Sequence, residues 1–216
     1  MPKNTPPFPI ARRGFMLVLS SPSGVGKTTI ARAVLQIETE LELSISTTTR
    51  PKRISETEGK DYHFVDENTF SQMVKSKEFL EHAYVYGYHY GTPRASIEKV
   101  LTSGVDVLFD IDWQGTQQLK QMAMSDLVSV FLLPPTIKTL EDRLHKRGED
   151  SGEIVRKRMN KAGDEISHWA EYDYIIINYT LQDSIDAVRA ILQAERLKRR
   201  RQLGLAQFVN SLRGED

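Results

Sequence analysis

Ser20-Ser21-Pro22-Ser23-Gly24-Val25-Gly26-Lys27-Thr28-Thr29 constrains this chain more than any other stretch of it. The apolar run before it, Phe15-Met16-Leu17-Val18-Leu19, reads as a buried strand, and Ile30, Ala31, Ala33, Val34 and Leu35 after it are spaced as a helix. Strand, glycine-bearing loop and helix, in that order, is the setting in which such a loop binds phosphate. Gly24 and Gly26 let the backbone curl so that successive N–H groups point inward, and the positive end of the helix dipole adds to their field. In this pattern Lys27 reaches the β- and γ-phosphates and the Thr28 hydroxyl ligates Mg²⁺, with Ser21, Pro22, Ser23, Val25 and Thr29 completing the cradle. Ser21 stands where the consensus has its first glycine, a position a small serine can fill. A chance glycine turn before a lysine would leave the flanking strand and helix unexplained. The loop implies a nucleoside triphosphate site.

Composition narrows the rest. The 216 residues suffice for a good core, and lysine plus arginine equals aspartate plus glutamate at 29 each, so no basic field calls for nucleic acid. The absence of cysteine removes disulfides, thiolate zinc sites and cysteine nucleophiles, and predicts a cytoplasmic protein. The five histidines have no metal-ligand spacing. Residues 1–13 are proline-rich without a long apolar stretch and are expected to form a loose tail, and no apolar run approaches a membrane span, so no membrane partner is predicted. Oligomeric state, a homo-oligomer included, stays open.

Along the chain, strands and helices alternate with one interruption. Helices are predicted at about 28–37, 66–75, 92–103 (Thr92 as cap, Pro93 first), 113–122, 136–146, 152–169 and 184–202. Short β-prone stretches at 43–49 and 62–65 and an aromatic hairpin at 79–90 around Gly87 fall together. Near-continuous apolar strands at 105–111, 127–133 and 174–178 join 15–19 in a parallel sheet covered on both faces. The fold class predicted is α/β, with a small β-rich insertion that binds the second substrate.

Within that insertion stand Ser46-Thr47-Thr48-Thr49-Arg50-Pro51-Lys52-Arg53, then Glu58-Gly59-Lys60-Asp61-Tyr62-His63-Phe64-Val65, Phe79-Leu80-Glu81-His82-Ala83 and Tyr88-His89-Tyr90-Gly91-Thr92. With Asp110-Ile111-Asp112-Trp113-Gln114-Gly115 after them, the ordered set resembles guanylate kinase, from about Gly14 to Leu192. The resemblance implies a P-loop nucleoside monophosphate kinase that phosphorylates GMP, and also dGMP, with ATP and Mg²⁺ in purine metabolism. It implies a domain over 14–203, with core 14–43, 93–136 and 170–203, GMP-binding region 44–92 and helical lid 137–169, before a C-terminal tail at 204–216. It implies that Arg50, Arg53, Tyr62 and Tyr90 hold the GMP phosphate and that Ser46, Glu81, Thr92 and Asp112 surround the guanine. Asp110 would lie by the phosphoryl-transfer centre, contacting GMP as well. Arg143, Arg147 and Arg158 would close over the ATP phosphates, so that Lys27, Arg50, Asp110, Arg147 and Arg158 form the catalytic set. Asn178 would sit on the adenine side, where Tyr179 and Thr180 replace the acidic residue common in the family.

The chemistry is coherent without the name. Guanine presents N1–H and an N2 amino group side by side, so one carboxylate accepts both bonds, while adenine lacks these donors and would leave a buried Glu81 unpaired. Two arginines three residues apart suit a phosphate dianion. Two other readings are open: a guanylate-kinase-like scaffold that holds phosphorylated peptides, and a kinase for another small phosphate ester. Lys27, Thr28 and the lid arginines argue against the first, and Ser46 with Glu81 against the second. The basic run Arg196 to Arg201 reads as a helix end favoured by the dipole.

Overall fold

The computed structural model describes residues 11–214 except Tyr86 and residues 147–151. In chain order the elements are β1 (Ala11–Arg12), β2 (Met16–Ser20), α1 (Lys27–Ile37), β3 (Leu41–Leu43), β4 (Thr47–Thr48), β5 (His63–Phe64), α2 (Glu67–Lys75), β6 (Phe79–Val85), β7 (Tyr88–Pro93), α3 (Arg94–Thr102) and β8 (Asp106–Asp110). There follow α4 (Trp113–Ala123), β9 (Leu127–Leu133), α5 (Ile137–Lys146), α6 (Gly152–Ser167), β10 (Tyr174–Ile177), α7 (Leu181–Arg196), β11 (Gln202–Leu203) and α8 (Leu205–Arg213).

Five strands form an all-parallel sheet in the order β10-β9-β2-β8-β3, so the chain runs to opposite sides of β2 before and after β8. A parallel sheet opens a crevice at such a reversal, beyond the carboxyl end of the strand, and the phosphate loop lies there. The unbroken apolar run of β2 is what burial on both faces demands. Phe15, Leu17 and Leu19 pack with Ile30 and Val34 of α1 and Ile185, Val188 and Leu192 of α7. Met16 and Val18 point the other way, to Ile97 and Leu101 of α3, Leu119 of α4, Phe109 and Phe131.

The interruption is a second sheet, β5-β4-β7-β6, whose β6–β7 hairpin turns at Gly87 and carries a bulge between Phe79 and Glu81. The β-prone stretch 43–49 is two strands in two sheets: β3 ends in the parallel sheet at Leu43 and β4 starts the small one at Thr47. Asp66 caps α2 as its spacing predicts, accepting from the Thr69 N–H at 2.7 Å. Thr92 does not cap α3. Pro93 still pairs with Phe79 in the hairpin, and the Thr92 hydroxyl is taken by the buried Glu81 instead.

The C-terminal end differs most from its predicted form. Helix α7 starts at a Thr180 cap and stops at Arg196 rather than 202. The chain turns back through a short 3-10 turn so that β11 pairs with β1, and α8 follows where the pattern has only a tail. The turn carries Arg201 inward to an ion pair with the buried Glu195 at 3.2 Å, its guanidinium 4.3 Å from the Phe15 ring centre. Arg196 bonds Asp106 and Glu38, both at 2.8 Å. The basic run thus ties elements together, and a dipole effect accounts for only part of it. Residues 1–10 of the expected tail lie outside the described residues, while Arg12 and Arg13 are held by Asp106, Glu98 and Asp126.

Candidate active site

The ends of β2, β8 and β10 bring the site together. The loop leaves β2 at Ser20, and the β2–β8 register pairs Leu19 with Asp110, which sets the acidic end of β8 beside it. Gly24 and Gly26 have φ of 93° and 112°, left-handed values that side chains resist. A Cβ on Gly24 would also meet Leu144 of α5 at 2.8 Å. Pro22 and Val25 turn their side chains into the protein, leaving backbone to face a ligand. Lys27 forms an ion pair with Asp110 at 2.5 Å and donates to the Ile111 carbonyl at 3.2 Å, and the Thr28 hydroxyl reaches Asp110 at 3.2 Å.

The loop is braced from behind by two candidates for the ATP side. Asn178 follows β10, donates to the Val25 carbonyl at 2.7 Å and accepts from the Ser184 hydroxyl at 2.9 Å. At 4% exposure its amide ties the loop to the start of α7. Arg143 of α5 donates to the Val25 and Asn178 carbonyls at 3.0 and 3.3 Å. Arg158 of α6 lines a cavity of about 480 Å³ with Ser23, Asp112 and Trp113, and Arg147 lies outside the described residues. Trp113 stacks on His168 at 3.7 Å, which fixes the turn after α6 against the start of α4.

The candidates for the guanine side converge. Glu81 is 6% exposed and its carboxylate accepts from the Thr92 hydroxyl at 2.7 Å, while the Ser46 and Thr92 hydroxyls are 3.4 Å apart. Burial pushes the Glu81 carboxyl up; the Thr92 bond pulls it back in part, and the nearby Asp112 raises it further. Asp112 caps α4, accepting from the Gly115 N–H at 3.0 Å. No cation touches Glu81 among the described residues.

The phosphate-binding candidates converge in part. Arg50 lies 5.4 Å from the Tyr62 ring centre, Tyr62 meets Tyr90 edge-on at 6.0 Å, and Arg50 pairs with Glu56 at 2.6 Å. That bond holds the Arg50 guanidinium above its ordinary range, with a smaller contribution from Tyr90, and holds the Glu56 carboxyl below its own. Arg53 is exposed; its backbone N–H, at 2.9 Å from Glu56, makes the contact, and its guanidinium makes none among the described residues. A cavity of about 360 Å³ lies between this cluster and α1, reached by Thr28, Ser46, Tyr62 and Asp110. Glu56, and Arg32 and Lys60 on the wall of the same cavity, are not among the sequence candidates. Only Glu56, three residues beyond the Arg50–Arg53 pair in a polar loop, carried a local signal.

The glycine-bearing loop and a cavity lined by Arg32 and Lys60 thus flank Asp110, with a buried carboxylate beyond. That layout suits phosphoryl transfer from one nucleotide to another. Comparison with known proteins agrees. The family model described as guanylate kinase matches residues 13–195. The chain is 61% identical over 205 residues to the guanylate kinase of Paramagnetospirillum magneticum, covering 95% of this chain and 96% of that one. It is 58% identical over 208 residues to that of Rhodospirillum rubrum, covering 96% and 95%. The crystal structure of guanylate kinase from Anaplasma phagocytophilum superposes with a TM-score of 0.75 at 38% identity, covering 94% of this chain and 97% of that one.

Proposed function

The chain belongs to the guanylate kinase family and is an enzyme that phosphorylates GMP to GDP with ATP, and from that premise we propose how its own residues carry the reaction. ATP lies with its phosphates on the loop from Ser21 to Thr29. Lys27, now held by Asp110, turns to the β- and γ-phosphates, where its charge counts most as the transferring group becomes metaphosphate-like. The hard oxygens beside the loop, the Thr28 hydroxyl and the Asp110 carboxylate, suit Mg²⁺, which keeps much of its water and takes few protein ligands. Thr28 would hold the ion together with ATP, where it would supply positive charge to the phosphate oxygens.

The GMP phosphate takes Arg50 from Glu56, with Tyr62, Tyr90 and an inward-turning Arg53 as further donors. A carboxylate already on Arg50 marks where an anion is wanted. Glu81 accepts the N1–H and N2 amino bonds of guanine, supported by Ser46, Thr92 and Asp112. The observation that carries this reading is a carboxylate 6% exposed whose one hydrogen-bond partner among the described residues is a neutral hydroxyl. Residues 137–169 act as a lid, with Arg147 and Arg158 closing on the phosphates and Arg143 and Asn178 holding the loop from behind. Residues 44–92 act as the acceptor domain, and the rest of 14–203 as the core. Water is excluded on closure, and the GMP phosphate attacks in line. The residues proposed here read the base and the phosphate, which dGMP shares with GMP, so dGMP is an acceptor too. We assign the reaction to the cytoplasm, consistent with a cysteine-free chain; no helix among the described residues is long and apolar enough to cross a membrane.

A coupled ADP-release assay with ATP and GMP, dGMP, AMP, UMP or dTMP tests this. Turnover should be confined to GMP and dGMP. Comparable turnover of AMP would remove Glu81 as the base reader.

A further inference from the structure

One charged contact in the crevice has no part in that account. Helix α6 carries Arg158, Lys161 and Glu165 at intervals of three and four, hence on one face, and that face borders the 480 Å³ cavity whose opposite wall includes Ser23 of the phosphate loop. Across it the Ser23 N–H donates to Glu165 Oε2 at 3.3 Å. An inward N–H of such a loop is made for an anion, and here the anion is the protein's own.

We propose that Glu165 is a positioning residue that competes with the ATP triphosphate for the phosphate loop. Without ATP, α6 docks on the loop through this carboxylate; with ATP, the polyphosphate displaces it and the helix docks through Arg158 and Lys161 on the same face. The surroundings support an exchange of this kind. Burial pushes the Glu165 carboxyl up and the like charge of Asp112 raises it further, while the Ser23 bond and the charges of Lys161 and Lys27 oppose this only in part. The carboxyl stays raised on balance, and a triphosphate arriving beside it draws those lysines away and adds repulsion. A plain structural latch would not need the charge, because a glutamine oxygen accepts the same N–H.

The inference rests on the loop being the ATP site, and the test keeps the two apart. Calorimetric titration of Mg·ATP without GMP into wild type, Glu165→Gln and Glu165→Ala should show both variants binding about three- to tenfold tighter at low salt, the gap narrowing at about 0.5 M salt as charge is screened. The KM for GMP should stay at the wild-type value. Affinity for ATP that is unchanged or weaker in Glu165→Gln overturns the competition, whatever Glu165→Ala does to folding. Failure of the wild type to bind ATP at all would remove the reading of the loop itself.

Discussion

At the N-terminal ends of the parallel strands Asp106 is wholly buried and has Arg12, Arg196 and the Phe15 N–H around its carboxylate. Beside the substrate crevice Glu81 is 6% exposed and has one neutral hydroxyl. The same contrast repeats nearby. Glu195 on the floor has Lys198, Tyr174 and Arg201, and although burial pushes its carboxyl up, those bonds bring it below the ordinary range. At the crevice Glu165, with one N–H bond among the described residues, is left raised. Taking a carboxylate out of water is costly in either place. On the floor the chain itself supplies the cations that offset the cost, and the result is a tie between β1, β8, α1 and α7. At the crevice no cation among the described residues bonds Glu81, and on the proposed reading guanine, with two adjacent donors, supplies the offset. Perturbed, uncompensated acids gather at working sites for this reason.

Removing a cation from each end should separate the two kinds of site. Lys27→Ala strikes the crevice alone: kcat should fall by about 10²–10³-fold, as when a preorganised charge donor is lost, while calorimetric GMP affinity and the thermal midpoint hold. Turnover near wild type would end the role given to the loop lysine. Arg196→Ala strikes the floor alone. It leaves Asp106 buried beside a single arginine and should cost about 2–4 kcal/mol in urea unfolding, with both KM values unchanged. A loss under about 0.5 kcal/mol, the level of an ordinary surface change, would mean that water reaches the network.

The next change swaps the crevice carboxylate for its neutral twin. Glu81→Gln still accepts from Thr92 but sets an amino group against a guanine donor, so the kcat/KM preference for GMP over AMP should drop about a hundredfold. Stability near neutral pH should rise slightly, because a buried charge has been removed. Full retention of the preference would shift base reading to Ser46, Thr92 and Asp112.

The smallest effect is protonic. Because the Glu81 carboxyl is raised, the folded protein keeps a proton that the unfolded chain has lost between the ordinary glutamate range and the raised value. Stability therefore falls as pH rises through that window. Guanine takes the ionised form, so GMP affinity should increase with pH across the same window and binding should release a fraction of a proton. Calorimetry in buffers of different ionisation enthalpy measures that release. Equal release from wild type and Glu81→Gln would show that another group titrates.

The sequence pattern by itself determines the phosphate loop, the parallel α/β core and the order of the acceptor motifs. The first two rest on contiguous residues, ten for the loop and runs of apolar side chains for β2 and β9, and so does the cap that Asp66 gives α2. Such signals survive in one dimension because the forces behind them act within a turn or a strand. Tertiary structure decided the rest. Thr92 has the makings of a helix cap, and only the β6–β7 pairing, which sets it opposite Glu81, shows its hydroxyl already in use. Asn178 meets Val25 across 153 positions and Glu165 meets Ser23 across 142. Nothing local marks either contact. The basic run after α7 has a charge pattern but no indication that Arg201 turns inward to Glu195 while Arg196 reaches Asp106. A charged side chain looks the same in sequence whether solvent or a buried counter-charge completes it, and only the packing that excludes water decides between them.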